Sequence, residues 1–396
     1  MKIGILLSRF PYPLEKGDKL RIFHQIKALS KNHDIYLCAL SVGKVSPENI
    51  KVLQAYCKEV KVIQLTKTGI FLNLFYSLLF TKLPLQVAYF FNRNAKQSIL
   101  GFFRLHKIDH LYCQLIRVAE YVTQYNDVPK TLDYMDALSR GMERRIKSAK
   151  FFVKPFVKIE SMRLKRYEHF IFAAFDEKTI ISAQDRDLIV HSKNHGIHII
   201  PNGVDQEFFK ATSVPKKYDL LFTGNMSYPP NVNCVQYVVK EIMPLIWKRK
   251  ADATFVIAGA TPSLAVQKLA SEKVIVTGWV SDIRDYYSQA KVFLAPMQIG
   301  TGLQNKLLEA MAMKLPCVTS ALANNALGAQ HNKELIVGEE AEDFATAALQ
   351  LLENPKVAME VAQKGQRFVQ KNYNWETSTT KLEALFLKHK IKDKNK

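Results

Sequence analysis

One pattern constrains this chain more than any other: the succession strand, loop, helix, strand occurs twice. Residues 2–8 (KIGILLS) are an apolar run behind a single lysine, as a strand buried on both faces requires. A loop containing Pro11, Pro13 and Gly17 follows, then a helical pattern over residues 18–31 in which Asp18 suits the N-cap. A second strand is expected at 34–41. Parallel strands need a crossover, normally a helix, so this alternation specifies a doubly wound parallel sheet. Residues 108–112, 130–134, 178–182 and 197–200 read as its later strands. The turn Pro201-Asn202-Gly203 and the polar stretch 211–217 read as a linker. The alternation then restarts, with strands at 219–223, 254–258, 274–277, 292–296 and 316–320 and helices at 233–247 and 304–313. Residues 342–353 and 356–372 read as helices ahead of a lysine-rich tail at 388–396. The 396 residues suit two α/β domains of about 200 residues each.

Composition narrows the class. The chain is 48% hydrophobic and 23% charged, which is globular and excludes collagenous or largely disordered architectures. Five scattered cysteines with no CxxC argue against a disulfide scaffold or a thiolate zinc site and fit a reducing compartment. The first apolar run is too short for a signal-peptide core. The longest one, residues 70–80 between Lys67 and Lys82, is about half a bilayer span, so no membrane crossing is expected. The formal charge is +20, and residues 1–200 carry +15 of it. A basic half of this kind meets nucleic acid or an anionic membrane surface. No RNP, KH or helix-turn-helix signature supports nucleic acid.

Chemistry-bearing motifs are few. GxGxxG is absent after the first strand, where Ser8-Arg9-Phe10-Pro11 stands, and no P-loop occurs. Histidines stand singly, and no HExxH suggests a metal. The informative stretch is IGTGLQNKLLEAMAM, residues 299–313: a Gly-rich turn between a strand and a helix start. Such a turn aims backbone N–H groups and the positive end of the helix at an anion beyond the carboxyl edge of the sheet. Lys306 and Glu309, three apart, share one helix face, while Leu307, Leu308, Met311 and Ala312 face the core. A cation for a diphosphate beside a carboxylate for ribose hydroxyls is what a nucleotide-sugar site requires.

The stretch GTGLQNKLLEAMAMKLPCVTS (301 being its threonine) resembles the nucleotide-sugar motif of retaining GT-B glycosyltransferases. It is closest to the sugar transferases that accompany bacterial exopolysaccharide loci. RFPYPLEKGDKLRIFHQIKALSKNHDIYLCAL, RLKRYEHFIFAAFDEKTIISAQDRDLI, LLFTGNMSYPPNVNCVQYVVKEIMPLI and VIVTGWVSDIRDYYSQAKVFLAP resemble other parts of that group, in order along the chain. The resemblance implies a GT-B fold: two Rossmann-like domains whose parallel sheets face a central cleft. The expected division is residues 1–202 for the acceptor, 203–365 for the nucleotide sugar, and 366–396 as a helix crossing back to the first domain, with the tail.

By the same resemblance Lys306 and Glu309 are the catalytic pair, Lys306 on the donor diphosphate and Glu309 on the ribose hydroxyls. Backbone near Gly302 and Leu303 meets the diphosphate, backbone around Trp279 and Val280 borders the nucleobase, and Gly17 approaches from the first domain. Gly224, Asn225 and Thr301 complete the donor-binding set. Many relatives carry an arginine where Asn225 stands, a glutamate in place of Thr301, and a histidine where this chain has Cys113-Gln114. The implied activity is a metal-independent, retaining hexosyl transfer, without a cofactor, from a nucleotide-sugar donor to a lipid-linked or saccharide acceptor. The basic half, with residues 71–80 and 147–166, places the protein in the cytoplasm on the inner face of the plasma membrane. Two other readings stay open at this point: a non-catalytic nucleotide-sugar-binding protein and a nucleotide-sugar epimerase.

Overall fold

The computed structural model describes residues 1–148, 151–210, 214–299 and 302–394. The chain divides into two units, Met1–Pro201 with Trp375–Lys396, and Asn202–Asn374.

The first unit is a sheet of seven parallel strands: β1 (Lys2–Leu7), β2 (Asp34–Ser41), β3 (Glu59–Gln64), β4 (His110–Gln114), β5 (Lys130–Asp133), β6 (Glu177–Ile180) and β7 (His198–Ile199). Their spatial order is β3-β2-β1-β4-β5-β6-β7. β1 is central, with Ile3 opposite both Ile35 and His110, and Ile3, Ile5 and Leu6 are fully buried. The sequence reading lacks β3. It is the edge strand, its residues EVKVIQ alternate charge with valine, and none of them is fully buried, so no apolar run marks it. A buried ion pair roots the first helix, Gly17–Leu29, on this sheet. Arg21 grips Asp133 at 2.6 and 3.2 Å and donates to the Ile200 carbonyl at 2.8 Å. Thr179 donates to the same carboxylate at 3.0 Å. The helix Trp375–Lys394 packs on this unit: Trp375 stacks on His24 with ring centroids 4.9 Å apart, and Leu382 and Phe386 join the cluster of Ile3, Ile5 and Ile26.

The second unit has six parallel strands: β8 (Tyr218–Thr223), β9 (Phe255–Ala258), β10 (Val274–Gly278), β11 (Ala290–Ala295), β12 (Cys317–Ser320) and β13 (Ile336–Gly338), in the order β10-β9-β8-β11-β12-β13. β13 is again an edge strand, only three residues long, and escapes a sequence reading for that reason. The expected helix at 233–247 is three pieces: Pro229–Tyr237, a π-helical turn over Val238–Ile242, and Met243–Arg249. Pro244 has no N–H for the carbonyl one turn back, and a wider turn ahead of it accommodates that loss. The helix Pro355–Asn372 runs unbroken through residue 365 and stays with this unit, where Val361 and Val369 are buried.

All five cysteines are buried free thiols. No helix of the described residues is long and apolar enough to cross a membrane. The apolar run at 70–80 lies in the helix Lys67–Phe80, which leaves Phe71, Leu72, Phe75, Leu79 and Phe80 exposed.

Candidate functional site

In a doubly wound sheet, ligands bind beyond the carboxyl ends of the strands where the winding reverses. In the second unit that point lies between β8 and β11. The chain leaves β8 at Gly224, and after β11 it passes through Gly302 into the helix Asn305–Ala312. Both glycines have positive φ, +150° and +88°. Gly224 is needed for space as well. A Cβ there would stand 2.6 Å from the Asn231 amide, and one on Gly259, after β9, would stand 1.9 Å from the Gly224 carbonyl oxygen. The Gly259 N–H donates to the Gly278 carbonyl at 3.1 Å. The loops following β8, β9 and β10 are thereby held together at one edge, and Trp279 and Val280 come next in the chain.

Lys306 stands in the first turn of the helix Asn305–Ala312, which has no side-chain cap and no acidic residue in that turn. Its ammonium donates to Asn231 Oδ1 at 2.6 Å and to Gln304 Oε1 at 3.3 Å, and lies 4.9 Å from the Phe222 ring centroid. Two of three N–H donors are engaged, which leaves one for a ligand. Lys306 has no ion-pair partner among the described residues. Burial pushes its amine down to about 8, against the opposing pull of Cys234 and Glu309.

Glu309 lies one turn along the same face. Tyr287 donates its hydroxyl to Glu309 Oε2 at 2.9 Å, and the Thr223 hydroxyl is 2.6 Å from the same phenol oxygen. The phenol has one proton, so donation to Glu309 leaves it accepting from Thr223. Burial pushes the Glu309 carboxyl up to about 7, more than the Tyr287 bond and the Lys306 charge restrain it. A half-buried amine and a half-buried carboxyl, each held off its ordinary pKa and lacking a direct partner of opposite charge, suit a ligand that brings an anion and hydroxyl donors.

The remaining expected residues fall as follows. Gly224 adjoins Lys306, whose Cε would be 3.5 Å from a Cβ at Gly224. The Asn225 carbonyl accepts from Asn231 at 2.9 Å, while its side chain takes the Ser227 N–H and hydroxyl at 2.9 and 2.7 Å. That side chain serves its own turn. Leu303 is half-buried and packs partly on the core. Trp279 is 74% exposed and Val280 half-buried. Thr301 lies outside the described residues. Gly17 belongs to the first unit, where no atom approaches within 4 Å of a Cβ placed on it. Asn231, Tyr287 and Gly259 are additions that sequence reasoning missed. Only the Pro-Pro start of the helix Pro229–Tyr237 hinted that Asn231 sits in a first turn. Among the described residues no cluster of three or more His, Cys, Asp or Glu is placed to hold a metal ion.

Residues 217–354, which contain this whole arrangement, match the family described as Glycosyl transferases group 1. A Klebsiella pneumoniae protein described as an uncharacterized 44.6 kDa protein in the cps region is 24% identical over 94% of this chain and 96% of its own length. A GDP-mannose-dependent alpha-(1-6)-phosphatidylinositol monomannoside mannosyltransferase of Mycobacterium tuberculosis is 26% identical over 47% of this chain and 54% of its own. Among solved structures, Anabaena Alr3699/HepE in complex with UDP superposes with a TM-score of 0.67 at 13% identity, over 98% of this chain and 100% of that one.

Proposed function

We propose that this chain, a GT-B protein with a group 1 glycosyl transferase domain, moves a hexose from a nucleotide-sugar donor to a lipid-linked or saccharide acceptor. We further infer retention at the anomeric carbon, no metal requirement, and a place in making a bacterial surface polysaccharide or glycolipid. One observation carries the reading. At the switch point of the second unit, the desolvated Lys306 amine stands in the uncapped first turn of a helix, with Glu309 one turn further on the same face.

The residues divide the work. The bond from the anomeric carbon to the diphosphate breaks and the acceptor oxygen bonds to that carbon. The acceptor's hydroxyl proton passes to an oxygen of the departing phosphate, on the same face of the sugar. Negative charge grows on the diphosphate as it leaves, and the Lys306 ammonium and the helix N–H groups answer it. Each such donor is worth a few kcal/mol of barrier, about 3. Glu309 as a carboxylate accepts from ribose hydroxyls and fixes the nucleoside. The UDP bound by the Anabaena neighbour supports a nucleotide donor, and the cps-region relative supports polysaccharide synthesis. The mycobacterial mannosyltransferase supports a lipid acceptor. The +15 half and the exposed apolar helix face support a cytoplasmic protein resting on the inner face of the plasma membrane.

Incubation with nucleotide sugars and a lipid extract, with EDTA present, tests this: sugar should appear on an acceptor. Loss of turnover that Mn²⁺ restores would contradict the metal-free mechanism, and sugar isomerised without acceptor would indicate an epimerase. A second reading has its own observations. The Asn225 side chain is tied to Ser227, and Gln114 is buried and bonded to the Asp18 carbonyl at 3.0 Å, so neither replaces the arginine or histidine of relatives. A non-catalytic binding protein would bind donor and give no product.

A further inference from the structure

The first unit has a switch point of its own, between β1 and β4. A pocket of about 790 Å³ lies there. Ser8 and Arg9 reach it from the end of β1, residues 40–42 from the end of β2, and Arg117 from just beyond β4. Its described lining holds five cations, Arg9, Lys16, Lys19, Arg117 and Arg145, against one carboxylate, Glu160. That carboxylate is committed elsewhere, accepting the backbone N–H groups of Leu85 and Gln86 at 2.8 and 3.0 Å.

Arg117 is the informative residue. It donates to Gln86 Oε1 at 3.0 Å and lies 5.8 Å from the Phe90 ring centroid, yet its Nε is buried with no partner. It has no ion pair among the described residues. Its neighbour Arg9 sits 6.0 Å from the same ring, paired with Asp18 at 3.0 Å. Two guanidinium groups thus share one aromatic ring; Asp18 pairs directly with Arg9, while Arg117 feels Asp136 and Asp18 only at a distance. A half-buried guanidinium with no carboxylate in direct contact and a buried, unpartnered Nε is costly, and its fork matches the oxygens of a phosphate.

The rest of the wall is apolar: Leu74, Tyr89, Phe90, Met142, Phe156 and Val157. Leu74 belongs to the helix Lys67–Phe80, and Phe156 and Val157 to the helix Lys154–Phe172. Arg163 fastens the two helices by donating to the carbonyls of Ser77 and Leu78 at 3.2 Å each. Phe156 both lines the pocket and is 58% exposed, and the two helices that carry Leu74 and Phe156 also leave Phe71, Phe75, Ile159 and Met162 exposed. Cations inside and hydrocarbon at the rim describe an amphiphile with its charged end inward.

We propose that this pocket binds the phosphate- or diphosphate-bearing head of an amphiphilic acceptor, whose hydrocarbon chain lies along the exposed faces of the helices Lys67–Phe80 and Lys154–Phe172. The word acceptor rests on the transferase reading; the binding itself does not. Calorimetric titration of the full chain with farnesyl phosphate, inorganic phosphate and farnesol tests it. Farnesyl phosphate should bind at least about tenfold more tightly than either of the others, since head and chain each contribute. Arg117→Gln and Arg9→Gln should each weaken farnesyl phosphate about tenfold or more and leave nucleotide-sugar affinity as it was. Arg9 is a third exposed, so its variant decides the matter if Arg117→Gln fails to fold. Equal binding of farnesol would reduce the pocket to apolar adhesion, and equal binding of inorganic phosphate would make it a site for free anions. Indifference to both substitutions would overturn the assignment as well. Binding of farnesyl phosphate without any nucleotide sugar would sink the transferase reading and leave this one standing; the reverse would sink this one alone.

Discussion

Nucleotide-sugar binding should take up a proton in alkaline solution and release one in mildly acidic solution. The Lys306 amine is pushed down to about 8 by burial, so at pH 8.5 only about a quarter of it is charged. A diphosphate beside it restores the ordinary lysine range, and binding then takes up about 0.7 proton at that pH. The Glu309 carboxyl sits at about 7, so at pH 6.5 about three quarters of it is protonated. Ribose hydroxyls that donate to it favour the carboxylate, and binding then releases about 0.7 proton. The windows barely overlap: at pH 8.5 Glu309 is already ionised, and at pH 6.5 Lys306 is already charged. Titration calorimetry in two buffers of different ionisation enthalpy reads the proton count directly. The ligand must be a nucleotide sugar, because the terminal phosphate of a nucleoside diphosphate titrates near pH 6 and would confuse the release. Lys306→Met should abolish the uptake at pH 8.5 and Glu309→Gln the release at pH 6.5. At pH 9.5 about 3% of the amine is charged, and since about half of Glu309 is still protonated at pH 7, affinity should be about 15-fold weaker than at pH 7. No proton exchange at either pH, or exchange of the same sign at both, would refute the reasoning.

Three further outcomes are expected. Lys306→Ala should lower kcat more than it raises the donor KM, whereas Glu309→Ala should mostly weaken donor binding, by about 1.5–3 kcal/mol for bonds to a charged group, as steady-state kinetics with varied donor will show. The chain should bind vesicles containing anionic lipid and leave them as salt rises, since exposed charges are screened within about 8 Å at physiological ionic strength; equal binding to neutral vesicles in a sedimentation assay would remove the electrostatic part. Asp133→Ala should cost about 3–5 kcal/mol in denaturant unfolding, because it strands the fully buried Arg21 guanidinium; a loss under about 1 kcal/mol would mean that water reaches that pair.

The central strands were readable because parallel strands buried on both faces must be apolar throughout, as in Ile3 to Leu7. β3 and β13 were not, because an edge needs neither continuous apolarity nor length. Lys306 and Glu309 were visible through their spacing on one helix behind a Gly-rich turn. Their partners were not. Asn231 is 75 residues from Lys306 and Tyr287 is 22 from Glu309, and only the winding of the sheet brings them together. The first unit's pocket stayed hidden for the same reason: Arg9 and Arg117 meet because β1 and β4 are neighbours, which the order of strands along the chain does not say.

The most direct measurement is equilibrium binding of UDP-, GDP- and ADP-sugars to the wild-type chain and to Glu309→Gln at pH 7.5. One base should bind, and the substitution should weaken it about tenfold or more while the fold, followed by circular dichroism, is unchanged. Binding that is indifferent to Glu309, or no binding of any nucleotide sugar to a folded wild-type chain, would place the site elsewhere and contradict the account.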